Sequence, residues 1–460
     1  MNKMTTTERR AIISLSSIMS LRMIGLFMVL PVFSIYAAEL SGATPTRIGL
    51  ALGIYGLSQA LFQIPFGVLS DRFGRKPIIF IGLILFALGS LLASFADSIF
   101  MMIIGRCLQG MGAIGSTIMA FMADFTRENQ RTKAMAIAGI TIGGSFSLAM
   151  LAGSALTHWL AVSQIFLLAA CFGATGIFLL FYAVPSSATL SWHRDTEPEF
   201  KSFIRLLISP ELAKLNIGIF ILHAIFTASF IVIPISLQQF AQLESSQQWK
   251  LYLPALLIAF IISLFCIGMA ERKQQVKPFF LMGILIIAIS ECLLWSIKTN
   301  LAFAFAGIGL FLTGFSLLEA FLPSLISRTA PASRKGSALG IYSSSQFLGI
   351  FVGGLVGGWL FGHSGFSGVY LFCITLALFW FALAVFMQPP RTLVTQMWRI
   401  SPSMQSSFDK LSQHLHAIEG MVEVNMVSED GMAYLKMERK TLQHPDFIRL
   451  REELQSETFC

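Results

Sequence analysis

The sequence predicts an all-α polytopic membrane protein with twelve transmembrane helices in two six-helix bundles, followed by a small α+β domain. Two observations predict the membrane part: the chain of 460 residues is 55% hydrophobic, and its mean hydropathy is +0.73. A soluble protein of this length could not bury so much apolar side chain, because polar groups must still cover its surface. A third observation predicts the last domain, since ordinary polarity returns after residue 388.

Twelve apolar runs are each long enough to cross the hydrocarbon core of a bilayer, which takes about 18 residues or more. In the first half of the chain these runs lie at about 11–37, 47–69, 77–95, 98–122, 134–157 and 162–184. In the second half they lie at about 213–239, 250–270, 278–297, 301–327, 337–361 and 366–387. Numbered as spans one to twelve, they predict an N-terminal six-helix bundle over 1–185, a polar linker over 186–211 and a C-terminal six-helix bundle over 212–388.

Lysine and arginine residues collect at the N-terminus and after every second span, whereas the intervening loops hold few of them. Because positive residues favour the cytoplasmic side, both termini are predicted to be cytoplasmic. The chain is expected in the cell (inner) membrane. This distribution accounts for the net charge of +8, so no nucleic-acid partner is expected. The six cysteines are scattered singly, so neither a metal site nor a disulfide framework is expected.

The two halves of the chain have similar loops. "ENQRTKAMAIAGI" before span five is similar to "PASRKGSALGIYS" before span eleven, and "LSDRFGRKP" after span two is similar to "AERKQQVKP" after span eight. Parallel repeats, here offset by about 200 residues, are common in transporters, which hold substrate between the halves near the membrane midplane. Alternatively, the loops are alike only because any basic loop between two spans has this composition.

The segment "GVLSDRFGRK" joins spans two and three and is called the latch motif below. Its defining residues are Gly67, Asp71, Arg72, Gly74, Arg75 and Lys76. At each of these positions it matches the G-x-x-x-D-R-x-G-R-K/R motif of the major facilitator superfamily. The stretch "GRCLQG" at 105–110 resembles the R-x-x-Q-G motif in helix four of the same superfamily. With the twelve spans, the resemblance covers residues from about 10 to 388.

The resemblance implies that the latch motif holds the cytoplasmic side closed. Asp71 would dock on the start of span eleven near Gly336 in the outward-open state, where the positive end of a helix dipole attracts an anion. Arg75 would pair with Asp124 at the end of span four, and Gly67 is expected to permit close approach of a neighbouring helix. The alternative is that these residues only anchor the topology of the chain.

Five ionisable side chains fall inside apolar runs: Arg22, Arg106, His223, Glu291 and Glu319. A charge at the bilayer centre costs about 2.5–3.5 kcal/mol on insertion scales, so each needs a functional or structural reason. The resemblance places spans one and ten along the central cavity. Desolvation favours the neutral form of a carboxyl group, which makes Glu319 a candidate proton carrier, unless it pairs structurally with Arg22 or with a backbone group. Arg106 is expected to serve the gate or proton movement more than substrate binding.

Further candidates for contact with substrate or protons are Tyr55, Gln59, Gln63 and Tyr342. Gln59 and Gln63 lie four residues apart and so share one helix face, where they either contact substrate or bond to neighbouring helices. The apolar and aromatic remainder of the cavity, with few fixed charges, suits amphipathic compounds, cationic ones included, better than sugars or phosphates.

Residues 389–460 predict a small cytoplasmic domain. A strand at "TQMWRIS", a helix closed by Gly420, two strands around "SEDG" and a helix at "HPDFIRLREEL" match a ferredoxin-like fold. With such a tail, the stretches "SLRMIGLFMVLP" and "IYGLSQALFQIPFG" resemble the YajR-type family of bacterial transporters, which implies proton-coupled efflux. Cys460 lacks a paired cysteine, so no metal is expected there; the domain serves regulation or self-association, or is a passive appendage.

Together these patterns predict a secondary active transporter, not an enzyme, that exports amphipathic or drug-like compounds in exchange for protons. It needs no cofactor beyond the proton gradient, and its expected partners are the lipid bilayer, a small amphipathic substrate and protons. Drug antiporters of the superfamily usually carry a Gly-Pro step in span five, where Ser154 stands here, so the bend is expected to be softer or absent. The alternatives are a proton-coupled metabolite or sugar transporter, and a membrane sensor that uses the C-terminal domain.

Overall fold

The computed structural model describes residues 4–185, 206–296, 301–331, 335–387, 393–399, 408–427 and 432–456. The chain divides into two compact units, Met1–Met387 and Gln388–Cys460. The predicted linker as far as residue 205, the predicted hairpin turn at 428–431 and Cys460 lie outside the described residues.

The first six spans are helical, with interruptions in spans one and four. Their helices run Thr6–Phe27 and Leu30–Ala37 (span one), Pro45–Phe73 (two), Arg75–Ser94 (three), Ile99–Met111 and Gly115–Phe125 (four), Glu128–Leu156 (five) and Val162–Tyr182 (six). Span one begins with a capping box, in which Thr5 and Glu8 each accept a hydrogen bond from the other's backbone amide. Gly74 joins spans two and three with φ +94°, a left-handed conformation that favours glycine.

The last six spans occupy five helical runs. These run Pro210–Phe240 (span seven), Trp249–Arg272 (eight), Val276–Trp295 (nine), Leu301–Thr329 (ten) and Lys335–Val385 (eleven and twelve). The last run has 51 residues and is broken at Gly365, whose φ of +62° and ψ of −156° are not helical. Since one crossing takes about 20 residues, this run supplies two spans. The structure therefore confirms twelve spans in two bundles.

The two ends of the helical unit differ in charge. We call one end the basic face, because Arg10, Arg75, Arg127, Arg272 and Arg328 lie there at helix termini. We call the opposite end the far face; it carries the turns at 38–44, 95–98, 157–161 and 241–248. This alternation follows from the even spacing of basic loops along the sequence.

Spans two and eleven pack closely against each other along their far halves. The backbones of Gly49 and Gly354 are in direct contact there, and any side chain at either position would collide with the other helix. Toward the basic face, a Cβ atom at Gly67, Gly336 or Gly340 would meet no atom of the described residues within 4 Å. A cleft therefore opens between the bundles at the basic face. No atom of the described residues approaches the Cβ position of Gly67 in this conformation, so the expected close approach of a helix there stays a prediction for a conformation with a closed basic face.

Both bundles cap their last helix in the same way. Lys76 Nζ donates to the carbonyl oxygen of Val184 at 3.1 Å, beyond the end of span six. Lys277 Nζ donates to the carbonyl oxygens of Val385 and Met387 at 2.7 and 2.6 Å, at the end of span twelve. A cation satisfies carbonyl groups that have no helical partner and interacts favourably with the negative end of the helix dipole. Because Lys277 follows Lys76 by about 200 residues, the predicted repeat extends to specific contacts.

Lys277→Met should lower the thermal unfolding midpoint of the detergent-purified protein by a few degrees. The substitution removes two charge-assisted hydrogen bonds, together worth about 1–2 kcal/mol. Lys273→Met is the matched control, since Lys273 is exposed in the same loop. Equal midpoints for the two variants would contradict a capping role for Lys277.

The C-terminal unit is a three-stranded antiparallel sheet in the order β1-β3-β2, covered by helices. Its elements are β1 (Leu393–Arg399), a helix (Phe408–Ala417), β2 (Met421–Val427), β3 (Met432–Glu438) and a helix (Pro445–Ser456). Trp398 and Phe447 pack in its core with ring centroids 5.0 Å apart. Because β3 lies between β1 and β2 and is antiparallel to both, the arrangement is the split β-α-β of the ferredoxin-like fold, as predicted.

Candidate substrate and proton site

Span five has uncovered glycines in its basic half and is tied to span eight at its far end. A Cβ atom at Gly139 or Gly143 would meet no atom of the described residues within 4 Å. At the far end, Ser154 Oγ donates to the carbonyl oxygen of Ser245 and accepts from the amide of Trp249 at 2.9 Å. The serine at this position therefore ties span five to the start of span eight. The helix continues through this position to Leu156, and a soft or absent bend there stays a prediction.

Glu319, His223 and Gln346 form a polar cluster in the C-terminal bundle. Glu319 Oε2 lies 3.9 Å from His223 Nε2, and Gln346 Nε2 donates to Glu319 Oε1 at 3.3 Å. Gln346 Nε2 also lies 2.8 Å from His223 Nε2, while His223 Nδ1 lies 3.3 Å from the carbonyl oxygen of Ile219. This geometry fits a neutral imidazole that donates from Nδ1 and accepts at Nε2. The cluster brings together a carboxylate and an imidazole, which are two groups able to hold a proton.

An aromatic cluster joins the bundles one helical turn from Glu319. Phe226 and Phe315 of the C-terminal bundle stack with centroids 4.6 Å apart. Phe146 of the N-terminal bundle lies 5.9 Å from each of them, and Phe27 lies 5.0 Å from Phe146. Residues four apart share a helix face, so Glu319 faces the same side of span ten as Phe315. The side chain of Glu319 is 37% exposed, which places it at the edge of the cleft.

Arg22 is buried inside the N-terminal bundle, with 1% of its surface exposed. Its Nη2 donates to Tyr55 Oη at 3.1 Å and to Gln59 Oε1 at 2.7 Å. Gln59 Nε2 in turn donates to Gln63 Oε1 at 3.4 Å. The proposed alternative pairing of Arg22 with Glu319 is therefore wrong, because the guanidinium hydrogen bonds to span two. Arg22 Nε and Nη1 have no hydrogen-bond partner among the described residues.

Arg106 of span four lies on the other side of Tyr55. Its Nη1 donates to Gln109 Oε1 at 2.8 Å, and Gln109 Nε2 donates to Ser90 Oγ at 2.7 Å. The guanidinium carbon lies 5.1 Å from the ring centroid of Tyr55 and 5.8 Å from that of Phe33, within range of cation–π attraction. Arg106 is 4% exposed, and its Nε has no hydrogen-bond partner among the described residues.

A small cavity lies between the bundles next to Arg106. The N-terminal bundle contributes Phe27, Tyr55 and Arg106 to its wall, and the C-terminal bundle contributes Phe226 and Ile350. Both bundles thus line one central space, as expected of a site that opens alternately to either side.

The hydrogen bond of Glu291 goes to a residue outside the polar cluster, whereas Tyr342 lies near enough to Glu319 for an electrostatic interaction. Glu291 is fully buried within the C-terminal bundle, where its Oε1 accepts from Ser229 Oγ at 2.7 Å. Tyr342 is also buried, and its hydroxyl has no hydrogen-bond partner among the described residues. The structure therefore distinguishes Glu319, at the cleft edge with a histidine beside it, from Glu291 in the bundle interior.

Arg75 is at the centre of the latch motif. Its guanidinium forms ion pairs with Asp71, one turn earlier, and with Asp124, whose Oδ2 lies 3.1 Å from Arg75 Nε. Arg72 is exposed. Gly336, the expected docking point for Asp71, meets no atom of the described residues near its Cβ position. In this conformation Asp71 is thus held within its own bundle, and docking on span eleven stays a prediction for the opposite conformation.

A further ion pair on the basic face joins Glu8 and Arg127 and is not predicted by the sequence. The buried carboxylate of Glu8 accepts from the amide of Arg127 at 3.0 Å and from its guanidinium Nε and Nη2 at 2.9 and 3.0 Å. This links the start of span one to the loop between spans four and five. The T-x-x-E pattern at Thr5 signals the cap, but nothing in the local sequence indicates a partner 119 residues away.

Comparison with known proteins gives likenesses over most of the chain. The family model of the Major Facilitator Superfamily matches residues 15–273 and 215–397. The inner membrane transport protein YajR of Escherichia coli (strain K12) is 43% identical over 438 residues, which are 95% of this chain and 96% of YajR. The multidrug resistance protein MdtH of Baumannia cicadellinicola is 25% identical over 345 residues, 73% of this chain and 81% of that protein.

Among solved structures, a bacterial homolog of the human lysosomal transporter Spinster, inward-facing and occupied, is similar with a TM-score of 0.65. The identity is 16%, and the match covers 84% of this chain and 97% of that chain. At this identity the likeness supports the fold alone. The members of the matched family, and YajR itself, are membrane transporters rather than enzymes.

Proposed function

Because the chain belongs to the Major Facilitator Superfamily of secondary transporters, we propose that it exports amphipathic or drug-like compounds in exchange for protons. The two bundles rock about the central cavity and expose it alternately to each side of the membrane. The name of MdtH, a multidrug resistance protein, supports export, and the largely apolar cavity supports an amphipathic substrate.

The observation that carries this proposal is the cluster of Glu319, His223 and Gln346 at the edge of the cleft. A carboxylate inside a membrane span is costly unless it has a role, and here it has a histidine 3.9 Å away. Glu319 takes up a proton from one side and releases it to the other when the cleft reopens there. A proton that crosses 100 mV gains about 2.3 kcal/mol, which drives the cycle.

The proposed cycle starts from an inward-open conformation. We assign the basic face to the cytoplasm because basic loops favour that side, and the inner membrane location of YajR supports the same membrane for this chain. In the other half of the cycle the contact of Gly49 with Gly354 opens and the basic face closes. Asp71 then exchanges its pairing with Arg75 for the start of span eleven.

Reconstituted vesicles test this function. A panel of amphipathic solutes is added to proteoliposomes with an imposed pH gradient, and proton release and solute movement are recorded together. Solute-dependent proton movement in the opposite direction is expected. Uptake of sugars or small metabolites together with protons would instead support the alternative transporter function. Flux that needs residues 388–460 would support a sensor role for the C-terminal unit.

Asp71→Asn should slow transport several-fold to about thirty-fold while expression stays near the wild-type level. A carboxylate at a helix N-terminus contributes about 0.3–1 kcal/mol, and up to about 2 kcal/mol when it is partly buried. Losing that contact disfavours the conformation with a closed basic face. Asp97→Asn is the matched control, because Asp97 lies on the far face. Wild-type flux in Asp71→Asn would contradict the docking of Asp71.

A further inference from the structure

Two buried cations of the N-terminal bundle have no carboxylate partner among the described residues. Arg22 and Arg106 are 1% and 4% exposed, and neither forms an ion pair within the described part of the chain. Their Nε atoms, and Nη1 of Arg22, have no hydrogen-bond partner there either. Buried charges are normally paired, because removal from water is costly. An uncompensated pair of guanidinium groups is therefore a strong attractor for an anion.

The positions of the two arginines place this attraction at the substrate cavity. Arg106 lies in the cavity wall beside Phe27, Tyr55 and Phe226, and it is the charged residue of that wall. Arg22 lies behind Tyr55, to whose hydroxyl it donates at 3.1 Å. The guanidinium of Arg106 lies 5.1 Å from the ring of the same tyrosine. Both positive charges therefore act on a group bound against Tyr55.

The remaining contacts of Arg106 leave donors free for a ligand. Its Nη1 is engaged by Gln109, a neutral acceptor at 2.8 Å, and its faces lie near aromatic rings. None of these contacts cancels its charge. A guanidinium binds carboxylates and similar planar anions in a bidentate manner, since its donors are arranged as a fork.

From this charge arrangement we infer that the transported compounds are amphipathic anions, whose acidic group binds Arg106 in the field of Arg22. The apolar part of such a compound lies against Phe27, Phe226 and Ile350. The candidate proton carriers, Glu319 at the cleft edge and Glu291 in the bundle interior, lie on the opposite bundle. The anion and the proton therefore have separate sites on the two sides of the cavity. This inference rests on the proposed transport function and adds the charge of the substrate.

Binding of two isosteric compounds tests the inference. The full-length protein in detergent is titrated calorimetrically with 2-naphthoate and with 2-naphthamide, near neutral pH where the first is ionised. Wild-type protein should bind the naphthoate at least about tenfold more tightly than the amide, since a charge-assisted hydrogen bond is lost with the amide. Empty micelles correct for partition into detergent. Equal affinities, or no binding of the naphthoate, would overturn the inference.

Variants assign the preference to Arg106. Arg106→Gln should bring the two affinities close together, while Arg106→Lys should retain a preference for the naphthoate because it keeps the charge. Arg47→Gln is the matched control, since Arg47 also lies over an aromatic ring, that of Phe100 at 4.8 Å, but on the far face. An undiminished preference in Arg106→Gln would overturn the assignment. If Arg106→Gln does not fold, Arg106→Lys decides instead: loss of the bidentate contact should weaken binding of the naphthoate several-fold and leave binding of the amide unchanged, and an unchanged affinity for the naphthoate would overturn the assignment.

The binding test of the anion site and the flux test of the proposed function can fail independently of each other. Solute-driven proton flux without a preference for the anion would leave the exchange of solute for protons standing and remove the anion site. Binding of the naphthoate without any proton-linked flux would leave the anion site standing and remove the exchange.

Discussion

Glu319→Gln should abolish the proton movement that accompanies transport, so that solute-driven proton flux falls by at least about tenfold, toward that of protein-free vesicles. Glutamine has nearly the same shape as glutamate and can still accept a hydrogen bond from Gln346, so the helices around it should keep their packing. It cannot take up and release a proton near neutral pH. The effect is measured as proton release on addition of solute to proteoliposomes.

Two comparisons make this result specific. Glu39→Gln changes an exposed carboxylate on the far face and should leave the flux unchanged. Glu291→Gln changes the buried carboxylate that bonds to Ser229 and should affect stability more than coupling. Unaltered proton release in Glu319→Gln would remove Glu319 from the role of carrier. A complete loss in Glu291→Gln alone would transfer that role to Glu291.

Gly49→Val should stop transport by holding the far face open. The added side chain would collide with the carbonyl oxygen of Gly354, which contacts Gly49 directly in this conformation. Overpacking of this kind costs about 1–3 kcal/mol, which shifts the balance of two conformations about tenfold or more away from the one with a closed far face. The variant should still insert and bind solute from the far side.

Gly309→Val is the matched control for this substitution. A Cβ atom at Gly309 meets no atom of the described residues within 4 Å, so valine there should leave the transport rate near that of the wild type. A normal rate in Gly49→Val would mean that the contact between spans two and eleven does not need to form during the cycle.

The architecture could be predicted from sequence because it depends on apolar length and on charge placement. Each span is a long run of apolar residues, and the turn at Gly365 is flanked by runs that are each long enough to cross. The polar composition after residue 388 likewise separated the second unit, with its alternating strands. These signals are local and need no knowledge of which helix touches which.

The partners of buried charges could not be predicted in this way. Arg22 and Glu319 were natural partners by charge, yet Arg22 bonds to Tyr55 and Gln59, and Glu319 bonds to Gln346. Neutral amides give no distinctive signal in an apolar sequence, so the sequence alone does not place Gln346 in the polar cluster. Only the packing of spans seven, ten and eleven brings that cluster together.

The sequence also does not predict which end of the pair formed by spans two and eleven is closed in this structure. The glycines of span two are spaced along its whole length, from Gly49 to Gly67, so the same pattern fits contact at either end of the helix. The motif match suggested contact at the basic end, whereas this structure has contact at the far end. Both statements are compatible with a helix pair that closes at one end at a time.

The central claim is that the two ends of the helix pair open and close in opposition. Spin labels in a cysteine-free background measure it most directly, with one pair at Val68 and Leu339 near the basic face and another at Thr44 and Ser364 on the far face. Distances are recorded by electron–electron double resonance in nanodiscs at mildly acidic and mildly alkaline pH, with and without solute. We predict that whenever the basic-face distance shortens, the far-face distance lengthens. Distances that stay fixed under every condition, or that change in the same direction, would contradict alternating access.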